Sequence, residues 1–304
     1  GCTNISGGML MCLKEVRTMY REGQINRVLL LTDGQANTGV TSHKQLIKKA
    51  GAMSGSGVAL STFGLGEDFE EELLMAMAEA GGGNFYYIQS PDQVPGIFEQ
   101  ELSGLLNTIA QNLTIKLKPT AGIQLSGVLG YPFSVEDGVL INLPDIYSGE
   151  TKIVLLELQV SPLKEGTHRL IDFELEYADV RQNLAFVNLK ASLEVACTEE
   201  NSANPAENFE VLKHVELFRS ADAKEQAIRL ADQGDFEGGK NVLNLQLKNI
   251  SNLAQMVDDQ DLTEEVKELK ENISYMDATL FSNESRKQMS FNVYNQKRGR
   301  KGSK

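Results

Sequence analysis

RVLLLTDGQANTG, residues 27–39, is the stretch on which the reading of this chain turns. Val28, Leu29, Leu30 and Leu31 make a continuous apolar run, long enough for a strand and too short for a free-standing helix. A strand apolar on both faces is expected at the centre of a parallel sheet, covered by helices on each side. The run stops at Thr32-Asp33-Gly34, which puts a carboxylate at the strand's C-terminal end. That end of an open α/β sheet is where ligands bind. The same residues also read as an ordinary Asp-Gly turn, and the stretch alone does not choose between the two.

Working outward, strand and helix signals alternate. Thr3, Asn4 and Ser6 are cap-forming residues ahead of a helix expected over 8–22, with Met9, Cys12, Leu13, Val16 and Met19 at helical spacing. A helix is expected over 42–53 with Ser42 as its N-cap, then a strand over 58–65 and a helix over 70–80 with Asp68 as a cap. Gly81, Gly82 and Gly83 end that helix, a strand follows over 84–88, and 91–110 reads as helix restarted near Pro95-Gly96. Alternation with short links is the pattern of a parallel sheet wrapped by helices.

This order of residues resembles the second half of a von Willebrand factor type A (VWA) domain of the bacterial type. The resemblance rests on Gly1-Cys2-Thr3-Asn4 before a helix, Leu30-Leu31-Thr32-Asp33-Gly34 at a strand end and Ser61-Thr62-Phe63-Gly64-Leu65-Gly66 closing the next strand. Gly81-Gly82-Gly83-Asn84-Phe85-Tyr86 and Ile97-Phe98-Glu99 add to it, and together they cover about the first 105 residues. The resemblance implies a metal-ion-dependent adhesion site on the sheet, with Thr3 as the second-loop ligand and Asp33 as the third-loop ligand. It also implies a non-enzymatic protein that binds an acidic side chain of a protein partner through a divalent cation. Hydroxyl and carboxylate oxygens suit Mg²⁺, Mn²⁺ or Ca²⁺ better than Zn²⁺. The family's first metal loop, Asp-x-Ser-x-Ser, has no counterpart in the sequence. Residues 1–110 are therefore expected to be the C-terminal part of a VWA domain whose beginning lies upstream of Gly1, and cation binding by this piece alone is expected to be weak or absent.

Beyond residue 110 the periodicity changes. Leu113, Ile115 and Leu117 alternate with Thr114, Lys116 and Lys118, and Val187, Leu189, Leu193 and Val195 alternate with Asn188, Lys190, Ser192 and Glu194. Period-2 runs parted by turns predict an antiparallel β-sandwich over 111–198. After a polar linker, TEENSANPA at 199–207, helical spacing predicts a bundle over 199–283, with Thr263-Glu264-Glu265-Val266 as a capped start. Ala231-Asp232-Gln233-Gly234-Asp235-Phe236 is similar to the turn of a tetratricopeptide hairpin but has no second copy. Residues 284–304 hold most of the basic clustering; one reading is a nucleic-acid or membrane contact, and the favoured one is a mobile basic tail drawn to the acidic body of its own or a neighbouring chain, with 289–294 able to add a strand. The expected fold class is thus a Rossmann-like α/β sheet, followed by an antiparallel β-sandwich and a C-terminal helical bundle.

The chain has 304 residues, a net charge of −13 and 41% hydrophobic residues, a composition of soluble globular proteins. The charge argues against nucleic acid as the main partner. No apolar run approaches the roughly 20 residues of a membrane span. Cys2, Cys12 and Cys197 form neither a metal motif nor a disulfide framework, which favours a reducing, cytoplasmic compartment over the secreted and envelope alternatives. Two other functions compete. One is a phosphohydrolase or nucleotide-binding enzyme using Asp33. Against it, Gly-Gln-Ala follows Asp33 where a second Asp is usual, and His43, His168 and His214 lie in separate segments. The other is a regulator related to calcium-activated chloride channel-like VWA proteins, for which no membrane segment speaks.

Overall fold

Parallel strands β1 (Arg27–Thr32), β2 (Ala59–Leu65) and β3 (Gly82–Ile88) form a sheet in the order β1-β2-β3. The computed structural model describes residues 1–20, 24–131, 133–136, 138–182, 184–198 and 208–299. Helices α1 (Ile5–Thr18), α2 (His43–Ser54), α3 (Glu71–Ala80) and α4 (Val94–Leu106) alternate with these strands. Helices cover β2 on both faces. On one, Phe63 stacks on Tyr86 of β3 and Phe98 of α4, with ring centroids 5.0 and 4.7 Å apart. On the other, Thr62 donates to the Leu74 carbonyl of α3, and Phe69 packs on Phe85. Leu60, Phe63, Leu73, Leu74 and Met77 are buried, and each such side chain stabilises the fold by roughly 1.5–3 kcal/mol.

The sheet corrects one expectation. Among the described residues β1 is an edge strand and β2 the central one. Val28 is buried, whereas Leu29 and Leu30 are half-buried and Leu31 is 44% exposed. An apolar run reports affinity for cover, and β1 is covered on one edge only. Leu10, Met11 and Met19, in or just after α1, are exposed too.

Several boundaries also move. α1 starts at Ile5 because Asn4 caps it, its Oδ1 accepting from the Gly7 amide. Asp68 does not cap α3; Glu70 holds the N-cap position. The expected 91–110 helix is a short 3₁₀ turn (Pro91–Gln93) and then α4, because Pro95 fits a first helical turn. β3 begins at Gly82 because Gly81 and Gly83 lie against Leu60. A Cβ on Gly83 would fall 2.2 Å from the Leu60 carbonyl oxygen, so a side chain is sterically excluded there.

Downstream, β4 (Thr108–Pro119), β6 (Phe133–Glu136), β7 (Gly138–Leu143), β10 (Gly166–Asp179) and β11 (Ala185–Cys197) form an antiparallel sheet in the order β11-β10-β4-β7-β6, with β8 (Ile146–Tyr147) on β4. β5 (Ile123–Leu129) and β9 (Leu155–Val160) pair separately. Contacts divide the chain into two units. The first holds 1–118, 133–151 and 173–191; the second holds 119–132, 152–172 and 192–304.

In the second unit α5 (Phe209–Asp232), α6 (Phe236–Met256), α7 (Gln260–Tyr275) and α8 (Asn283–Lys297) enclose Ala227, Leu243, Ile250, Leu262, Leu269 and Met276. Gly234, at φ +82°, turns α5 into α6, and Asp235 caps α6. α7 starts at Gln260, capped by Asp259 rather than by Thr263. Residues 289–294 are helical, not a strand, and α8 is an ordered helix where a mobile tail was expected. Arg286 grips Asp232 through two 2.7 Å bonds, and Lys297 lies 2.9 Å from both Asp222 and Glu225. The attraction to acidic residues read from the sequence thus acts within the bundle. Lys224 is buried between Glu265 and Glu268, 2.8 Å from each. The linker at 199–207 and residues 300–304 lie outside the described residues.

Candidate functional site

Two loops meet at the C-terminal edge of the three-stranded sheet. β1 stops because Thr32, buried, turns its hydroxyl onto the next residues: Oγ1 donates to the Gly34 carbonyl at 2.9 Å and accepts from the Gly34 amide at 3.3 Å. This side-chain turn sets Asp33 at the strand end and leaves it exposed. The loop before α1 is latched alongside. The Thr3 amide donates to Asn37 Oδ1 at 2.7 Å, and Asn37 Nδ2 donates to the Gly1 carbonyl at 3.0 Å. The amides of Asn37 and Thr38 donate to the Thr3 carbonyl at 3.1 and 3.3 Å, and the Val40 amide donates to Ser6 Oγ at 2.9 Å. Gly39, at φ +74°, permits this approach; a Cβ there would lie 2.3 Å from Asn4 Oδ1.

Thr3 Oγ1 stands 3.3 Å from where a Cβ on Gly34 would be, so its hydroxyl packs against the residue that follows Asp33. Among the described residues neither the Thr3 hydroxyl nor the Asp33 carboxylate has a hydrogen-bond or ion-pair partner. As a donor set they are one neutral and one anionic hard oxygen, which fits Mg²⁺, Mn²⁺ or Ca²⁺ and supplies two protein positions of six or more. Among the described residues no group of three or more His, Cys, Asp or Glu side chains is placed to hold a metal. The histidines have local partners: His43 Nε2 lies 2.6 Å from Glu70, His168 donates to the Lys164 carbonyl at 2.7 Å, and His214 lies 3.8 Å from Glu210. Cys2, Cys12 and Cys197 are free thiols.

At the opposite end of β1 lies a buried polar cluster absent from the sequence reading. Arg27 donates to Glu101 of α4 at 2.9 Å and to Asp145, just before β8. Glu101 also accepts from Ser61 (β2) and, at 2.9 and 2.7 Å, from Asn84 and Tyr86 (β3). One carboxylate thereby ties α4 to all three strands. Burial pushes the Glu101 carboxyl up, but Arg27 and the three neutral donors outweigh it and hold it below the usual range. Asp145 goes the other way. Burial dominates, Arg27 and Gln111 offset it only partly, Glu101 repels it, and its pKa is raised. Burial also opposes the Arg27 charge, and Asp145 and Glu101 overcome it, raising its pKa. The only sequence hint was a charged residue opening an apolar strand. Asn37, the centre of the loop latch, carried no signal beyond being a loop Asn.

The parallel sheet with flanking helices is similar to that of von Willebrand factor type A proteins. The family model of the von Willebrand factor type A domain matches residues 1–100, and over that stretch the chain is similar to the family. Among curated proteins, the chain is 27% identical over 200 residues to the uncharacterized protein YfbK of Escherichia coli (strain K12), a match covering 62% of this chain and 35% of that one. It is 22% identical over 262 residues to the uncharacterized protein sll0103 of Synechocystis sp., covering 82% of this chain and 61% of that one. The chain therefore spans less than two thirds of each relative's length. Among solved structures, a von Willebrand factor type A protein from Catenulispora acidiphila shares the fold at a TM-score of 0.67 and 16% identity, covering 91% of this chain and 63% of that one. The ArnB paralog VWA2 from Sulfolobus acidocaldarius does so at 0.54 and 20%, covering 94% and 67%. Among the described residues no helix is long and apolar enough to cross a membrane.

Proposed function

We propose that this chain is part of a non-enzymatic protein-interaction protein whose Thr3 hydroxyl and Asp33 carboxylate hold a divalent cation, Mg²⁺ or alternatively Mn²⁺ or Ca²⁺, against an acidic side chain of a protein partner. The observation that carries this reading is that two unengaged hard oxygens stand on neighbouring loops at the C-terminal sheet edge, loops joined through Asn37. When bound, the cation supplies a positive charge that a partner carboxylate completes. Asp33 contributes the negative ligand and Thr3 a neutral one, while the latch holds both in place beforehand. Nothing in this arrangement calls for a nucleophile or general base. With two ligands from this chain, cation affinity is set by whatever further oxygens join them, so the chain by itself binds weakly.

The test is titration of Mn²⁺ into the natural full-length protein and into its Asp33→Ala variant, followed by partner capture in Mg²⁺ and in EDTA. Asp33 is exposed, so the variant keeps its thermal melting while losing cation binding and capture. Equal Mn²⁺ binding by the two proteins, or capture that EDTA does not weaken, defeats the proposal.

A further inference from the structure

β11 is an edge strand among the described residues, 13 residues long, with one side of its backbone unpaired. Its polar side chains serve the neighbouring strand β10. Asn188 donates to Glu174 and Glu176 at 2.7 and 2.9 Å, Lys190 lies 2.9 Å from Glu174, and Ser192 donates to Asp172 at 2.8 Å. Its other face carries Leu189, Leu193 and Val195, all exposed. Glu194, on the polar face, has no hydrogen-bond or ion-pair partner among the described residues. Long flat edges with an apolar face usually carry blocking features such as Pro, a bulge or inward charges. β11 has no Pro, and its charges alternate in sign along the polar side.

The sequence of the strand is complementary to itself. In an antiparallel pair of two β11 strands with Ser192 opposite Ser192, Lys190 faces Glu194 of the second copy and Glu194 faces its Lys190. Leu189 then faces Val195, and Ala191 faces Leu193, small against large. Opposite charges and apolar pairs directly across a ladder stabilise it, and like charges destabilise it. The register is selective. A slip of one residue sets Lys190 against Leu193 or Val195, and a slip of two leaves both charges without a counter-charge. We propose that this chain forms a two-fold dimer through β11, the two antiparallel edges joining with Ser192 on the axis. An isologous contact of this kind needs one surface that matches itself, which is what residues 187–197 supply. Main-chain bonds give the affinity and the alternate side chains give the register.

Sedimentation equilibrium on the natural full-length protein and on two charge-reversal variants of it tests the proposal. The wild type is expected to dimerise with rising concentration. Lys190→Glu sets Glu against Glu194 twice, and Glu194→Lys sets Lys against Lys190 twice, each weakening the dimer by about tenfold or more. An equimolar mixture of the two variants restores complementarity at both positions and is expected to give a mixed dimer of wild-type strength. Both residues are exposed, so far-UV circular dichroism should match the wild type. If a reversal disturbs folding, the neutral variants Lys190→Gln and Glu194→Gln remove the attraction without repulsion and should weaken the dimer less. A monomer at all concentrations overturns the proposal. So does a dimer indifferent to these changes, or a mixture that fails to recover.

Discussion

Replacing Arg27 with Met should be among the most damaging single changes in the first unit. The guanidinium side chain is 2% exposed and faces Glu101, 1% exposed, and Asp145, 8% exposed. Met fills much of the same volume but leaves two carboxylates buried without their counter-charge. Breaking a buried ion pair from one side costs about 3–5 kcal/mol, far more than the net worth of the intact pair. Glu101 keeps its bonds from Ser61, Asn84 and Tyr86, which favours the lower end of that range; among the described residues Asp145 keeps only Gln111. Arg27 Nε has no hydrogen-bond partner among the described residues, so its removal also relieves a small desolvation penalty. The chain has no tryptophan, so urea unfolding is best followed by far-UV circular dichroism. The triple variant Arg27→Met/Glu101→Gln/Asp145→Asn, which removes all three charges, should regain much of the loss. A cost below about 1 kcal/mol for Arg27→Met, the scale of a surface ion pair, would refute the reasoning. A triple variant no better than the single one would also refute it.

Acid titration of the same unfolding curve should separate the two carboxylates. Glu101 has a lowered folded pKa, so its contribution is fully present above the ordinary value of 4.5 and is lost as pH falls through the folded value below it. Asp145 is raised, so stability is gained as pH falls through its folded value toward 3.8; Glu101→Gln should flatten the acid-side loss, and Asp145→Asn should remove the opposing gain. Gly83→Ala should lower the urea midpoint markedly because its Cβ meets the Leu60 carbonyl rather than a movable side chain; an unchanged midpoint would contradict the packing of β3 on β2. Leu60→Ala, fully buried, should cost about 2–5 kcal/mol. Leu30→Ala on the half-buried edge strand should cost clearly less, and equal costs would put β1 in the centre after all.

The fold was legible where local chemistry decides it. Alternating apolar runs and glycine punctuation marked β1, β2 and β3, and the period-2 runs of Leu113–Leu117 and Val187–Val195 marked antiparallel strands. What stayed hidden depends on partners distant in sequence. An apolar run such as Val28–Leu31 cannot say whether a strand has one neighbour or two, and among the described residues the central place expected for it belongs to β2. Glu101 and Asp145 are separated from Arg27 by 74 and 118 positions, and no local pattern announces such a cluster. The basic stretch at 286–298 read as a tail because its charges dominate. Its burial of Met289, Phe291, Val293 and Tyr294 appears only once the bundle is assembled. At the candidate site Asp33 was marked by its place at a strand end, whereas Asn37 looked like any loop residue.

The latch between the two site loops runs through backbone groups of Gly1, Thr3, Asn37, Thr38 and Val40 and through the side chains of Asn37 and Ser6; the Thr3 hydroxyl takes no part in it. Loop shape and the Thr3 hydroxyl are therefore under separate mutational control. Drift at the Thr3 side chain can remove the hydroxyl without touching the latch, whereas drift at Asn37 removes the two bonds of its side chain and leaves the Thr3 hydroxyl and the Asp33 carboxylate in the sequence. A lineage of such proteins can change the exposed oxygens and keep the loop architecture, or the reverse, one codon at a time.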